Sequence, residues 1–135
     1  MERTDADDAA LLALARRAAE SAYAPYSRFR VGAAVRTTAG GLYSGCNVEN
    51  ASYGLTCCAE RAAIFAAVAA EGPGMRLRDV AVHAAAHSVP PCGACRQVIA
   101  EFGPHARVLF PSGGEVTVVP ADELLPGRFE FEPPG

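Results

Sequence analysis

The sequence predicts an α/β fold in which a mixed, five-stranded β-sheet lies between helices on both of its faces. Hydrophobic periodicity arranges the chain as α-β-β-α-β-α-β-β, an order that is typical of three-layer α/β/α domains. The 135 residues, half of them hydrophobic, are enough for one buried core and too few for two. We therefore predict a single domain that spans residues 1–135.

The first half of the chain is predicted to contain one helix and two strands. Residues 4–22 place leucine and alanine on one helical face and acidic residues in the first turn, and Pro25 ends this amphipathic helix. Residues 29–37 alternate between two sides, which is the period of a strand. After a glycine-containing turn, residues 42–48 return as a second strand.

The second half supplies the rest of the sheet. Residues 58–71 are helical and apolar on nearly every face, so we expect this helix to be buried against the sheet. The remaining predicted elements are strands at residues 79–85, 107–110 and 115–119 and a helix at residues 92–102. Only residues 111–114 connect the last two strands, which is too short for a parallel crossover and predicts an antiparallel hairpin.

The composition argues against nucleic acid and membranes as partners. The formal net charge is −3, and the twelve basic residues, all of them arginines, are scattered rather than clustered. The longest apolar run, residues 62–70, is too short to span a bilayer, and no signal peptide is evident at the acidic N-terminus. We expect a cytoplasmic protein, in which five cysteines, an odd number, favour metal binding over disulfides.

Three cysteines and one glutamate have the spacing of a catalytic zinc site. Cys58 stands two residues before Glu60 at the start of one predicted helix, and Cys92 and Cys95 lie three apart at the start of another. Three protein ligands leave the fourth position of a tetrahedral zinc ion open for water, and a nearby carboxylate can carry protons.

Other interpretations of these cysteines are a structural zinc site, a redox pair or packed thiols. A closed structural site needs a fourth ligand, and the neighbouring Cys57 would point about 100° away from Cys58 on a helix. We therefore assign no metal role to Cys57 or Cys46 and expect both to be packed.

Longer motifs around these residues resemble one family. The chain is similar to the small, zinc-dependent, homotetrameric-type cytidine deaminases over about residues 26–129, through Asn47-Val48-Glu49-Asn50-Ala51-Ser52-Tyr53, Cys58-Ala59-Glu60-Arg61 and Pro91-Cys92-Gly93-Ala94-Cys95. The resemblance implies a cytidine deaminase-like fold and one Zn²⁺ per subunit. It also implies hydrolytic deamination of cytidine and 2′-deoxycytidine, in pyrimidine salvage. The antiparallel final hairpin is similar to that of the family's free-nucleoside deaminases, whereas the polynucleotide-acting relatives run those strands parallel.

Glu60 and Arg61 are predicted to act beside the metal. Glu60 is the candidate general acid and base, and a surface carboxylate in a first helical turn is the alternative. Three thiolates on Zn²⁺ leave a net negative charge, which Arg61, three residues after Cys58, can offset by hydrogen bonding to sulfur. The family's arginine at this place has a similar role, and a solvated helix arginine is the alternative.

The substrate side is predicted from a strand end and from the resemblance. Asn47 and Glu49 are one residue apart near the end of a strand, so their side chains should point to the same side. The resemblance places these two on the ribose 3′-hydroxyl, Phe29 on the pyrimidine and the backbone of Ala51 on the base edge. The alternatives are polar residues that close a strand and a core phenylalanine.

We also expect a homotetramer with shared active sites. The helix at residues 58–71 is apolar on more faces than one sheet can cover. By resemblance, Phe129 reaches into a neighbouring site and Tyr53 lies near the same boundary; a Phe129 folded onto its own domain is the alternative. Two other functions remain open, a deaminase of a modified cytosine nucleoside, such as an antibiotic, and a zinc-binding module without turnover.

Overall fold

The computed structural model describes residues 5–131. The helices are α1 (Asp5–Ala19), α2 (Ala59–Glu71), α3 (Gly93–Phe102) and α4 (Ala121–Leu124), with a 3₁₀ turn at Tyr53–Leu55. The strands are β1 (Val31–Thr37), β2 (Leu42–Cys46), β3 (Leu77–Ala84), β4 (Arg107–Ser112) and β5 (Glu115–Pro120). Every predicted element is present, while the 3₁₀ turn and α4 were not predicted. The first residue of the predicted N-terminal helix, Thr4, lies outside the described residues.

The five strands form one mixed sheet in the order β2-β1-β3-β4-β5. Strands β3 and β4 are parallel, because the chain crosses over between them through α3, and the other pairs are antiparallel. In the final hairpin Ser112 pairs with Glu115, and Gly113 and Gly114 between them have φ values of 63° and 81°. A two-residue turn with both φ values positive matches the twist of antiparallel strands. The predicted fold class and final hairpin are both confirmed.

Helices cover both faces of the sheet, as predicted. Consecutive strand residues point to opposite faces, so Val80 and Ala81 of β3 belong to different clusters. On one face α1 packs through Leu11 and Ala15, and the other face lies under α2 and α3. The centres of β1, β3 and β4 are buried on both sides, and there the strands are apolar, at residues 33–35, 80–82 and 108–110.

Two glycines allow the helices to approach the sheet closely. A Cβ atom on Gly32 of β1 would lie 1.9 Å from the carbonyl oxygen of Ala15 in α1. On the other face, a Cβ atom on Gly45 of β2 would lie 2.5 Å from the backbone nitrogen of Ala63 in α2. The contact at Gly45 fixes the position of α2, whose first turn carries the candidate catalytic residues.

The N-terminal helix is shorter than its periodicity predicts. It ends at Ala19 rather than at residue 22, because the chain leaves the helix to pair with a second segment. The Tyr23 N–H donates to the Asn47 carbonyl (3.0 Å), and the Glu49 N–H donates to the Tyr23 carbonyl (2.9 Å). This pairing also ends β2 at Cys46 and brings residues 26–29 beside the Asn47–Glu49 segment. Within residues 5–131, no helix has the length and apolar character needed to cross a membrane.

Candidate metal centre and active site

The side chains of Cys58, Cys92 and Cys95 converge at one point. Their three sulfur atoms all lie within 4.8 Å of one another, and Cys58 Sγ is 3.8 Å from Cys92 Sγ. Zinc–sulfur bonds of about 2.3 Å in tetrahedral geometry place two sulfurs about 3.8 Å apart. The three thiols therefore fit a zinc ion with three protein ligands.

The starts of two helices present these thiols. Cys58 is the N-cap of α2 and Cys92 the N-cap of α3, one residue ahead of each helix rather than inside it as predicted. Cys95 is buried in the first turn of α3, and its N–H donates to Cys92 Sγ (3.4 Å). Unpaired N–H groups and the positive end of the helix dipole favour thiolates at both positions. A cation bound between the two helix starts would be coordinated by thiols that the helix ends already favour in the thiolate form.

Contact between the Cys58 and Cys95 thiols shifts their pKa values in opposite directions. Hydrogen bonding from Cys95, followed by that from Arg61, lowers the pKa of Cys58 to about 5, although partial burial opposes this shift. The same contact with Cys58 raises the pKa of Cys95. The two opposite directions describe one interacting pair, in which Cys58 loses its proton more readily than Cys95.

Arg61 lies against the sulfur cluster, as the sequence predicts. Its Nη2 donates to Cys58 Sγ over 3.2 Å, and this contact raises the pKa of the guanidinium. The buried Arg61 Nε has no hydrogen-bond partner among residues 5–131. Because zinc with three thiolates keeps a net negative charge, a cation on sulfur draws charge away from the ligands.

Glu60 is buried beside the cluster without belonging to it. Its side chain is 5% exposed, and its carboxylate is not part of the three-thiol group. Burial is the largest cause that raises the pKa of Glu60, and the charge of Cys58 acts in the same direction. The raised pKa of the carboxyl group lies closer to neutral pH than its usual value. Such a group can both take up and deliver a proton during the reaction.

A cavity of about 270 Å³ opens from this centre. It is lined by Ser27, Phe29, Val31, Asn47, Glu49, Thr56, Cys58, Ala59, Glu60, Val89, Pro90 and Cys92. This pocket thus brings together two of the three predicted metal ligands, Cys58 and Cys92, with Glu60 and the predicted sugar-binding residues, while buried Cys95 does not line it. Phe29 is 41% exposed and presents its ring to this pocket rather than to the core.

Asn47 and Glu49 both line this pocket, and they do so from a loop, whereas the sequence predicts them near the end of a strand. The Asn47 amide accepts from Val31 N–H (2.9 Å) and donates to the Phe29 carbonyl (2.8 Å). Glu49 Oε1 accepts from the N–H groups of Tyr26 (2.9 Å) and Ser27 (3.1 Å). These bonds hold both polar groups in place and leave part of their hydrogen-bonding capacity free.

The sequence analysis missed pocket residues outside its motifs. Ser27 and Thr56 line the wall near Glu49, and Val89 and Pro90 line the wall before α3. Residues 26–29 and 89–90 lie in loops, where no periodicity marks the side chains that face a pocket. The only available signal was nearness in sequence, since Ser27 and Pro90 are each two residues from a named site residue.

The residues expected near subunit boundaries lie at the surface of the chain. Tyr53 is 77% exposed and packs edge-on against Tyr26, with ring centroids 6.2 Å apart. Phe129 is 74% exposed and lines a second surface cavity with Gln97, which donates to its carbonyl (3.3 Å). Ala51 is exposed in the loop after Glu49 and does not line the pocket.

The two remaining cysteines do not belong to the three-thiol group. The Cys57 thiol donates to the Cys58 carbonyl (3.6 Å), and burial raises its pKa. Cys46 is half-buried at the end of β2. Among the described residues, the three-thiol group includes neither of them.

Comparison with known proteins identifies the family. Residues 5–111 match the family described as "Cytidine and deoxycytidylate deaminase zinc-binding region". A cytidine deaminase of Halalkalibacterium halodurans is 47% identical over 117 residues, which cover 85% of this chain and 88% of that protein.

Comparison with solved structures identifies the same family. The crystal structure of cytidine deaminase from Burkholderia pseudomallei superposes with a TM-score of 0.85 at 49% identity and covers 94% of this chain and 100% of that one. Cytidine deaminase from Mycobacterium tuberculosis gives a TM-score of 0.78 at 39% identity, with 94% and 100% covered. With the three-thiol centre and the mixed sheet also in place, this chain belongs to the cytidine deaminase family of zinc-binding hydrolases.

Proposed function

We propose that the chain catalyses hydrolytic deamination of cytidine and 2′-deoxycytidine, which yields the uridine nucleosides and ammonia. One observation carries the proposal: a single pocket joins the three-thiol centre and buried Glu60 to the polar pair Asn47 and Glu49. Its volume of about 270 Å³ suits a small ligand that is only partly enclosed. We assign the reaction to pyrimidine salvage in the cytoplasm, where metal-binding thiols stay reduced.

Cys58, Cys92 and Cys95 would hold one zinc ion per subunit and leave its fourth position open. When bound, the zinc acts as a Lewis acid and supplies a water nucleophile at neutral pH. The chain contributes the arrangement of the thiols and the charge around them. Arg61, in contact with Cys58 Sγ, draws negative charge from the sulfur and so preserves the acidity of the metal.

Glu60 would carry the protons of the reaction. It takes a proton from the attacking water and delivers it to ring nitrogen N3 while the C4–O bond forms. It then takes the proton of the new C4 hydroxyl and delivers it to the exocyclic amino group, which leaves as ammonia when the C4–N bond breaks and the C4 carbonyl forms. The raised pKa of Glu60 supports this cycle, because the group must gain and lose a proton at the same site.

Asn47 and Glu49 would bind the ribose 3′-hydroxyl. The Asn47 amide keeps one N–H free after donating to Phe29, and the Glu49 carboxylate keeps an acceptor site free. Together they offer a donor and an acceptor to one hydroxyl. Phe29 would pack on the pyrimidine, with the backbone of Ala51 at the base edge.

The working form would be a homotetramer in which subunits complete one another's sites. Large apolar side chains remain exposed on the single chain, among them Tyr53 (77%), Leu55 (70%), Phe65 (51%) and Phe129 (74%). Phe65 lies on the face of α2 that points away from the sheet, which is the face expected to need a second cover. Tyr53 and Phe129 would then lie at subunit boundaries.

A second candidate function is deamination of a modified cytosine nucleoside. A blasticidin-S deaminase of Bacillus cereus is 32% identical over 114 residues, which cover 76% of this chain. The polar pair Asn47 and Glu49 favours an unmodified ribose. Ammonia release from cytidine, 2′-deoxycytidine, blasticidin S and free cytosine, measured with the bound zinc, separates the candidates: we expect turnover of the first two, and zinc binding without ammonia release would leave only a binding module.

A further inference from the structure

Ser27 connects the Glu49 side of the pocket with the Phe29 side. Ser27 Oγ donates to Glu49 Oε2 and also accepts from the Phe29 N–H (3.0 Å). Its own N–H donates to Glu49 Oε1 (3.1 Å). One exposed serine therefore contacts both the Glu49 carboxylate and the backbone of Phe29.

The backbone at this point is held in an unusual conformation. Arg28, between Ser27 and Phe29, has φ 58°, and it is the one non-glycine residue with positive φ among residues 5–131. The left-handed conformation is unfavourable for a residue with an ordinary side chain. The turn persists because hydrogen bonds hold it on both sides, from Ser27 to Glu49 and from Asn47 to the Phe29 carbonyl.

Counting acceptor sites shows what Ser27 does to Glu49. A carboxylate offers about four lone-pair sites. Oε1 receives the N–H groups of Tyr26 and Ser27, and Oε2 receives the Ser27 hydroxyl. One site therefore remains, on the oxygen that Ser27 orients. The same hydroxyl is the largest cause that lowers the pKa of Glu49, so the carboxylate is both fixed and ionised.

We propose that Ser27 is a positioning residue that aims the last free acceptor site of Glu49 at the sugar hydroxyl and so determines recognition of the ribose. This inference rests on the proposed function, in which Glu49 binds the 3′-hydroxyl. Ser27 acts through Glu49 and not on the reacting atoms. Its removal changes the binding of substrates that carry the hydroxyl and leaves the proton transfers of Glu60 unchanged.

The test compares cytidine with 3′-deoxycytidine in four proteins: the wild type, Ser27→Ala, Ser27→Thr and the control Ser44→Ala. Ser44 is an exposed serine of β2, outside the pocket. Ser27→Ala should raise KM for cytidine roughly tenfold, the size of one hydrogen bond to a charged group. Its KM for 3′-deoxycytidine and its kcat for both substrates should stay within about twofold of wild type. Ser27→Thr keeps the hydroxyl and should restore the cytidine KM, and Ser44→Ala should change nothing.

Different failures have different meanings. If the wild type does not prefer cytidine over 3′-deoxycytidine, or does not deaminate cytidine, the role of Glu49 is wrong and the inference falls with it. If the wild type discriminates and Ser27→Ala discriminates equally well, only the role of Ser27 is overturned. Equal losses for both substrates, with a lower melting temperature and no rescue by threonine, would show that Ser27 only stabilises the turn.

Discussion

Arg61 Nη2 lies 3.2 Å from Cys58 Sγ, three residues further along the same helix. Side chains three apart share a helix face, so α2 carries both a metal ligand and the cation that hydrogen-bonds to it. The helix start favours the thiolate, and the guanidinium then draws charge from it. One short segment thus both creates and moderates the negative charge of the centre.

This contact predicts the effect of replacing Arg61. Arg61→Gln removes the positive charge, and a hydrogen bond to a charged group is worth about 1.5–3 kcal/mol. We expect zinc to remain bound and kcat for cytidine to fall by roughly ten- to a hundredfold. Arg17→Gln, on the exposed side of α1, is the control and should match wild type. An Arg61→Gln protein with full kcat would mean that the arginine contacts the thiolate without affecting the reaction.

Glu60→Gln should separate metal binding from proton transfer. The amide has the shape of the carboxyl group but cannot carry protons, and removal of a general acid–base group typically lowers kcat by about 10²–10⁴-fold. Zinc content and melting temperature should stay at the wild-type values, because Glu60 is outside the three-thiol group. The exposed Glu101→Gln in α3 serves as control. Zinc loss in Glu60→Gln would make the carboxylate a ligand and reverse the assignment.

The two adjacent cysteines should respond differently to substitution. Cys58→Ala removes one of three sulfurs within 4.8 Å of one another, so zinc and activity should be lost together. Cys57→Ala removes a thiol that donates to the Cys58 carbonyl and should leave both unchanged. Metal content per chain, measured by elemental analysis alongside ammonia release, distinguishes the variants. A zinc-free Cys57→Ala protein would show that the wrong cysteine was chosen.

The sequence predicted those parts of the molecule that have a regular hydrophobic periodicity or that carry a motif. Strand β3 and helix α3 follow from periodicity, and the short connection at residues 111–114 predicts the hairpin. The convergence of Cys58 with Cys92 and Cys95 follows from ligand chemistry. The roles of Glu60 and of the substrate residues stay predictions.

Other features depend on contacts between distant segments. The early end of α1 and the loop position of Asn47 result from the pairing of Tyr23 with residues 47–49. Neither hydrophobic periodicity nor secondary-structure propensity can predict an isolated bridge of this kind. For the same reason the sequence missed Ser27, which becomes a pocket residue only when this pairing brings it to Glu49.

The lowered pKa of Glu49 predicts how ribose recognition depends on pH. The Ser27 hydroxyl, followed by the N–H groups around the carboxylate, stabilises its charged form, so the pKa lies below the usual 4.5. The carboxylate is therefore more than half ionised at pH 4.5, and its contribution is lost only as the pH falls through the lowered value. The ratio of kcat/KM for cytidine to that for 3′-deoxycytidine should stay nearly constant from pH 7 to about pH 5.5, because effects on zinc and Glu60 cancel in the ratio. A ratio that fell over that range would contradict the assignment. In Glu49→Gln the ratio should be small at every pH.

The exposed aromatic side chains predict an oligomer with shared sites. Phe129 is 74% exposed although Gln97 donates to its carbonyl, so its backbone is held in place while residues 5–131 leave most of the side chain uncovered. Light scattering should give a mass of about four times 14.0 kDa. Phe129→Ala should keep that mass and raise KM for cytidine several-fold, because the ring would contact substrate in a neighbouring subunit. The exposed Phe131→Ala, two residues further on, is the matched control and should leave KM unchanged. A mass of one chain would rule out the tetramer, whereas a tetramer in which Phe129→Ala binds cytidine as tightly as wild type would exclude only the shared site.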